Sequence, residues 1–241
     1  MRKESETTPL WPDGFKIPAR RPLSSDAVAD VCVVGAGISG LSVAYRLARE
    51  GVKVVVLEAG RIGGGETERT TAHLAVALDH GWGELIRVHG EELARLAAAS
   101  HAAAIDEIES IAGAEGIECG FERLDGWLFA DPGDPDGLLA AEHEASRQAG
   151  ILGAELEPSA PLPSFTTGPA IRYPGQAQFH PLRYLAGLAA AVERLGGRIH
   201  CGTRVTRVEG ERRPTRERRA DGRSARAASS SPRTPRSTTG S

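Results

Sequence analysis

Cysteines are few in this sequence, and their spacing forms no pair. Cys32, Cys119 and Cys201 are the three cysteines in 241 residues. An odd, scattered set without a C-x-x-C pair excludes a disulfide framework and argues against a zinc site. We therefore predict no metal site, and we expect the reducing environment of the cytoplasm.

Long hydrophobic runs are missing as well. No apolar stretch is long enough to cross a membrane, and residues 1–27 lack the apolar segment of a secretory signal. The formal net charge of −3 gives no general attraction to nucleic acid or to an anionic membrane. We expect neither a nucleic-acid nor a membrane partner, and the sequence does not indicate an oligomeric state.

The composition that remains is that of a globular protein. Hydrophobic residues make up 40% and charged residues 25% of the chain, which is long enough for one or two domains with a core. Residues 1–27 are polar and contain several prolines. They are predicted to form an N-terminal arm that lies across the folded body or extends from it.

The last part of the chain departs from this composition. Residues 211–241 contain nine arginines and three acidic residues, but no Val, Ile, Leu, Met, Cys or aromatic residue. Such a segment cannot build a core, so residues 211–241 are predicted to be a disordered Arg/Ser/Pro-rich tail.

A glycine-rich turn after a short apolar run carries the functional signal. Val31–Val34 is predicted to be a strand buried on both faces of a parallel sheet. Gly35, Gly37 and Gly40 follow in the pattern G-x-G-x-x-G, and the next residues, to about Glu50, have helical periodicity. The first glycine permits a sharp turn, the second lets a phosphate approach the backbone, and the third allows close packing of helix and strand.

An acidic residue stands where a dinucleotide site requires one. Lys53–Leu57 is predicted to be the second strand, and Glu58 lies at its carboxyl end. Its carboxylate can accept both hydroxyls of an adenosine ribose, while the amino end of the helix attracts a pyrophosphate. The sequence therefore predicts a Rossmann-like dinucleotide-binding unit.

The remaining elements are predicted from periodicity and turn residues. Residues 59–84 contain many glycines and small hydroxyl residues and are predicted to form a loop. The pattern then predicts helices over 91–111, 136–149 and from Pro181, hairpins over 121–130 and 170–179, and strands over 198–201 and 203–208. The inward face of the first of these helices is predicted to include Leu93, Leu96, Ala97, His101, Ala104, Ile105, Ile108 and Ile111. That of the helix from Pro181 is predicted to include Leu182, Leu185, Leu188, Ala189 and Val192.

The run from Asp30 to Leu74 resembles the amino-terminal part of the D-amino-acid oxidase-like FAD-dependent oxidoreductases, which include glycine, sarcosine and γ-glutamylputrescine oxidases. The segments GGGETERTTAHLA and QAQFHPLRYLAGLA are most similar to the branch that often carries a C-terminal Rieske domain. The resemblance implies FAD as cofactor, a small amine or amino acid as substrate, and hydride transfer to the flavin. It also implies these cofactor-binding residues: Gly35, Ala36, Gly37, Ile38, Ser39, Gly40, Glu58, Ala59, Glu66, Thr67, Thr71, Ala72, His73 and Val205.

Within that set the resemblance implies separate tasks. Glu66, Thr67 and the segment Thr71–His73 match the stretch that passes the pyrophosphate and the isoalloxazine ring, and the backbone of Val205 matches the position that meets adenine. His73 is interpreted as a packing or hydrogen-bonding histidine rather than a flavin-linked one. His180 is interpreted as a capping residue ahead of Pro181 rather than as a catalytic base. His101 is interpreted as a residue at the edge of the core rather than as a ligand. The catalytic residues are unknown.

The predicted fold class is α/β: an FAD-binding domain split by a smaller α+β insertion and incomplete at its C-terminus. The FAD-binding parts are predicted over 28–118 and 181–210, and a partial substrate domain over 119–180. The later strands of the family and a Rieske cysteine–histidine cluster are missing from the sequence. Our hypothesis is that the tail results from a frame shift between Val208 and Ser229.

Two alternatives to an active oxidase stay open. The first is a truncated FAD-binding fragment without catalytic activity. The second is an NAD-linked dehydrogenase, which the loop Gly60–Leu74 disfavours because a simple NAD fold would continue with a third strand and helix there.

Overall fold

The computed structural model describes residues 9–131, 133–134, 137–209, 216–219 and 224–227, the last two ranges as backbone. Its helices are α1 (Ile38–Arg49), α2 (Gly81–His89), α3 (Glu91–Glu115), α4 (Leu138–Gln148) and α5 (Pro181–Arg194), with a 3-10 helix over Glu66–Arg69. Its strands are β1 (Ala27–Ala29), β2 (Val31–Val34), β3 (Val54–Leu57), β4 (His73–Leu74), β5 (Glu122–Phe129), β6 (Glu155–Glu157), β7 (Ala170–Gln178), β8 (Arg198–His200), β9 (Val205–Glu209), β10 (Arg216–Arg219) and β11 (Ser224–Ala227).

The chain divides into two compact units. The first unit combines residues 1–69 with 181–241, and the second is Thr70–His180. The split arrangement was expected, but the second unit begins at Thr70 rather than at residue 119. The reason is that β4 pairs with β7 and α2 packs on α3 and α4, so these elements belong with the inserted segment.

The first unit contains the predicted strand, helix and strand around the glycine turn. The three-stranded sheet has the order β2-β3-β8 with all strands parallel. All four residues of β3 are buried, and α1 covers the sheet with Leu41, Ala44, Tyr45 and Ala48. The expectation that β2 is buried on both faces is wrong: Val34 is 56% exposed, because β2 lies at the edge of the described sheet.

A second sheet in the first unit has the order β1-β11-β10-β9. Strands β10 and β11 lie within residues 211–241, so the prediction that this whole segment is disordered is wrong for those eight residues. Backbone hydrogen bonds of a sheet ladder need no apolar side chains, which is why composition alone did not indicate them. The other residues of the predicted tail lie outside the described part of the chain, and the frame shift stays a prediction.

The last helix of the first unit matches its prediction closely. Helix α5 begins at Pro181 and buries Leu182, Leu185, Leu188, Ala189 and Val192, the five residues expected to face inward. The chain turns after it with a hydrogen bond from the Gly197 N–H to the Val192 carbonyl, 2.9 Å in length. Two short strands follow, β8 and β9, as the alternating pattern predicted.

The second unit contains two long strands where two hairpins were predicted. Strands β5 and β7 are each continuous and pair antiparallel. Leu124 pairs with Gln176 and Gly126 with Tyr173, so Asp125 lies opposite two residues, Pro174 and Gly175. The Pro-Gly and Asp-Gly pairs therefore form the two sides of a β-bulge, which uses the same residue types as a reverse turn.

Helix α3 is present as predicted but turns a different face inward at its start. Leu93 and Leu96 are 54% and 62% exposed, while Ala94 and Ala98 are buried. The small alanines allow close packing against Trp82 of α2, which is fully buried in a cluster with Ala145 and Ala149. Further along the helix Ile105, Ile108 and Ile111 are buried as expected, whereas Ala104 is exposed.

Candidate functional site

The glycine turn between β2 and α1 has the geometry that its sequence predicted. Gly35 has a φ of +99°, a conformation that favours glycine. A Cβ atom on Gly40 would lie 2.1 Å from the Gly35 carbonyl oxygen, so only glycine allows α1 to start this close to β2. Gly37 has an ordinary φ of −80°, and a Cβ there would lie 3.3 Å from the Thr67 hydroxyl.

Glu58 lies beside this turn and is bound to it. Its Oε2 accepts a hydrogen bond from the Ala36 N–H at 2.8 Å, and its Oε1 accepts one from the Gly60 N–H at 2.7 Å. The Glu58 backbone is held too, since its N–H donates to the His200 carbonyl at 2.8 Å. The carboxylate thus connects the loops after β2 and β3 at the carboxyl edge of the sheet.

The loop after β3 folds back over the start of α1. The Ile38 N–H donates to the Thr67 hydroxyl at 3.2 Å, and the Gly63 N–H donates to the Ala36 carbonyl at 3.0 Å. Of the two predicted residues on the 3-10 helix, Thr67 therefore lies at the turn, whereas the Glu66 side chain is exposed. The sequence pattern did not indicate Gly63, whose positive φ of +70° and packing near Leu182 are visible only in three dimensions.

A buried charge supports the same loop. Glu68 is 4% exposed, and its Oε2 lies 2.5 Å from the Arg61 Nη2 in an ionic contact. A carboxylate buried this deeply needs a compensating charge, and Arg61 supplies it from the other end of the loop. Sequence reasoning missed this pair because residues seven positions apart in a glycine-rich loop show no periodicity.

Three further predicted residues, Thr71, Ala72 and His73, lie at the start of the second unit. Ala72 is buried and has a φ of +65°, the one positive φ found for a non-glycine residue in the described ranges. Its N–H donates to the Thr70 hydroxyl at 3.2 Å. His73 follows in β4, where it pairs with Gln178 and leaves its side chain exposed. Backbone strain of this kind concentrates at functional segments.

Val205 and Ala59 complete the predicted set. Val205 is the first residue of β9, and its half-buried side chain packs against a cluster that contains Leu57 and Leu23. Ala59 is exposed directly after Glu58. Both residues therefore lie in the first unit, close in the chain or in space to the carboxyl end of β3.

Two polar residues of the second unit that could be considered for catalysis, Arg172 and Tyr173, contact other side chains of that unit. The Arg172 guanidinium forms ion pairs with Asp125 at 3.1 Å, with Glu155, and with Glu157 at 3.8 Å. Tyr173 is buried, its hydroxyl lies 2.9 Å from the Ser146 hydroxyl, and burial raises its pKa. We therefore assign no catalytic role to either.

Two histidines of this unit, His180 and His101, were interpreted from the sequence as structural residues. The backbone N–H of His180 donates to the Cys119 carbonyl at 2.7 Å, directly before α5 begins. The His101 ring contacts the Trp82 ring edge to face, with 6.3 Å between centroids. These contacts agree with the interpretation of His180 as a residue before a helix and of His101 as a residue at the edge of the core.

Together the turn, the helix start and the carboxylate form one chemical arrangement. Helix α1 begins directly after glycine backbone, and the amino end of a helix, whose first N–H groups have no partner within the helix, fits an anion such as a pyrophosphate. Glu58 presents acceptor oxygens beside it, which fits ribose hydroxyls. This combination defines a Rossmann-type dinucleotide-binding module.

Comparison with known proteins identifies the family. The FAD dependent oxidoreductase family, DAO, matches residues 30–229. The chain therefore belongs to this family, as its sequence motifs predicted, and FAD is the cofactor of the family. The predicted fold class, a split α/β FAD-binding fold, is confirmed.

Individual relatives agree with this membership. The chain is 33% identical over 212 residues to YhfW of Bacillus subtilis, which is named as a Rieske 2Fe-2S iron–sulfur protein, with 88% of this chain and 41% of the relative covered. It is 28% identical to the γ-glutamylputrescine oxidoreductase of Escherichia coli, with 78% and 45% covered. The chain spans less than half the length of these relatives.

Solved structures show the same fold at low sequence identity. The L-amino acid deaminase of Proteus myxofaciens superimposes with a TM-score of 0.67 at 17% identity, covering 88% of this chain and 46% of that one. Glycine oxidase of Geobacillus kaustophilus gives a TM-score of 0.61 at 17% identity, covering 83% and 54%.

Of the helices described here, none combines the length and the apolar character needed to cross a bilayer. Within the described ranges, no three His, Cys, Asp or Glu residues gather in a way that could hold a metal ion.

Proposed function

We propose that this chain binds FAD at the carboxyl edge of β2, β3 and β8. The pyrophosphate lies over the turn from Gly35 to Gly40, and the adenosine ribose lies on Glu58. One observation carries the proposal: the Glu58 carboxylate is held 2.8 Å from the Ala36 N–H, beside the start of α1. This contact supports the proposal because it holds a candidate ribose acceptor beside a candidate anion site.

The remaining predicted residues are proposed to serve the rest of the cofactor. Thr67 and Glu66 follow the pyrophosphate, and the segment Thr71–His73 passes the isoalloxazine ring. The Val205 backbone meets the adenine. The hydroxyls and backbone N–H groups of these segments supply the donors that phosphates and the flavin edge require.

The reaction proposed for the protein is oxidation of a small amine or amino acid. Bound FAD supplies an acceptor for a hydride from a C–H bond beside nitrogen, and the chain's own residues bind and orient the cofactor. Support comes from relatives named for γ-glutamylputrescine, glycine and L-amino acid substrates. The three cysteines are free thiols, which suits the cytoplasm we propose as its location.

A second candidate function is FAD binding without turnover. The observation that favours it is the share of the relatives covered, 41% of YhfW and 45% of the γ-glutamylputrescine oxidoreductase. A chain of that coverage retains the residues proposed to bind the adenosine and pyrophosphate but need not complete the environment of the flavin ring.

Cofactor binding is tested with purified protein and the variant Gly37→Ala. We expect a yellow protein that releases FAD on denaturation, and a Gly37→Ala variant that folds normally but holds little flavin, because the methyl group blocks phosphate approach. Gly65→Ala is the matched control, since a Cβ there meets nothing within 4 Å. Unchanged flavin content in Gly37→Ala, or a colourless wild type that binds NADH, would overturn the assignment.

Catalysis is tested separately, by adding amines and amino acids to the FAD-loaded chain. Bleaching of the flavin absorbance without oxygen, followed by hydrogen peroxide release with oxygen, supports an active oxidase. Full FAD occupancy without bleaching by any substrate of this class supports the second candidate instead.

A further inference from the structure

We infer that residues 17–23 of the N-terminal arm form an outer wall of the adenosine end of the FAD site. The inference rests on the proposed function and adds a segment that lies outside the glycine motif. It begins from a cavity of about 270 Å³ in the first unit. Three chain segments line this cavity: residues 17–20 with Pro22 of the arm, Gly60–Ile62, and Cys201–Gly202.

The cavity adjoins the proposed ribose acceptor through a shared residue. Gly60 lines the cavity, and its N–H donates to Glu58 Oε1 at 2.7 Å. The Cys201–Gly202 segment of the lining is joined to the same residue, because the Gly202 N–H donates to the Gly60 carbonyl at 3.0 Å. A nucleoside whose ribose lies on Glu58 therefore has its base next to this cavity.

The chemistry of the lining suits a neutral, planar ring. Ile17, Pro18, Ala19, Pro22 and Ile62 contribute apolar surface, and glycines contribute backbone. The two cavity arginines are engaged elsewhere: Arg20 pairs with Glu193 at 2.9 Å, and Arg61 pairs with Glu68 at 2.5 Å. A ligand group here meets apolar walls and backbone polar groups, which is how adenine is commonly held.

The arm is held to the first unit by two contacts, at Arg20 and at Leu23. Arg20 forms a two-pronged pair with Glu193, with both N–O distances at 2.9 Å. The Leu23 N–H donates at 2.9 Å to the hydroxyl of Thr203, a residue that is 1% exposed. Two-pronged arginine–carboxylate contacts are directional as well as strong. The arm therefore presents a defined surface to the cavity.

The test uses ADP and FAD as probes on the full chain. Arg20→Glu breaks the anchor to Glu193, and the double variant Arg20→Glu/Glu193→Arg restores it with the charges exchanged. We expect Arg20→Glu to raise the Kd of both probes about tenfold, and the double variant to recover most of the affinity. Arg87→Glu is the control, because it breaks the exposed Arg87–Glu84 pair in the second unit.

A second measurement does not depend on any variant. Hydrogen exchange of backbone amides at residues 17–23 slows on ADP binding if the arm touches adenosine. If wild type binds both probes while exchange in the arm and the affinity of Arg20→Glu are unchanged, the inference is wrong and the proposed function stands. If wild type binds neither ADP nor FAD, the proposed function itself fails.

Discussion

Glu58 and Ala36 are joined by a hydrogen bond of 2.8 Å from the Ala36 N–H to the Glu58 carboxylate. The second carboxylate oxygen accepts the Gly60 N–H at 2.7 Å. A residue that sequence reasoning selected as a ribose acceptor is therefore also a structural link between two loops. Each oxygen has a further lone pair, so the link and the ribose contact are compatible.

Replacement of Glu58 separates these two roles. Glu58→Ala leaves two backbone N–H groups without their acceptor, so we expect the free energy of unfolding to fall by about 1–3 kcal/mol and FAD affinity to fall as well. Glu58→Gln retains one side-chain oxygen acceptor and is expected to lose less stability. Urea denaturation and FAD titration measure the two effects, and an apo stability unchanged in Glu58→Ala would contradict the structural role.

Gly40 is expected to be essential for folding rather than for binding alone. A Cβ at this position would lie 2.1 Å from the Gly35 carbonyl oxygen, so Gly40→Ala forces α1 away from β2. We expect Gly40→Ala to lower the free energy of unfolding by about 1–3 kcal/mol, as other substitutions that overpack a well-packed site do. Thermal unfolding measures it against Gly65→Ala, where the added methyl meets nothing within 4 Å. Equal melting temperatures for both variants would refute the packing argument.

Local signals sufficed to predict the glycine turn because its conformation depends on residues that are neighbours in sequence. Gly35, Gly40 and Glu58 lie where the pattern of strand, turn, helix and strand predicts, and α5 buries the residues expected of it. The same reasoning predicted the family and its cofactor. The cofactor-binding tasks assigned to these and to the other predicted residues stay predictions.

Features that depend on distant partners were not predictable in this way. Gly126 and Gly175 are of a residue type that favours reverse turns, but the pairing of β5 with β7 places both of them at one β-bulge. Leu93 and Leu96 fit a helical stripe, but the bulk of Trp82 selects the neighbouring alanines for the interface. The arm contact between Arg20 and Glu193 joins positions 173 residues apart, a separation that no periodicity reveals.

Glu142 is expected to stabilise the second unit as the cap of α2. Its two carboxylate oxygens accept the N–H groups of Trp82 at 2.7 Å and Gly83 at 3.2 Å. Glu142→Ala removes both acceptors at a helix start, which costs about 0.5–2 kcal/mol. Glu144→Ala on the same helix is the control, since Glu144 contacts only Gln148 among the hydrogen bonds described, at 3.3 Å. A melting temperature equal in both variants would exclude the cap.

His200 is expected to make stability depend on pH. It pairs with Leu57 at the end of β8, its Nδ1 lies 3.4 Å from the Arg21 carbonyl oxygen, and its Nε2 is buried. Burial, with a smaller contribution from Arg198, lowers the pKa of this imidazole below its usual 6.5. The unfolded chain therefore takes up the proton more readily than the folded protein does.

The sign of the effect follows from that difference. Well above pH 6.5 His200 is neutral in both states and contributes no pH dependence, whereas the free energy of unfolding falls as the pH falls through 6.5 toward the lower pKa of the folded state. We expect His200→Asn, whose amide can still donate to the Arg21 carbonyl, to show a smaller decrease between about pH 7 and pH 5. His89→Asn, at an exposed position in α2, should keep the wild-type slope. Parallel stability profiles for wild type and His200→Asn would mean that His200 titrates alike in both states, contrary to its burial beneath the arm.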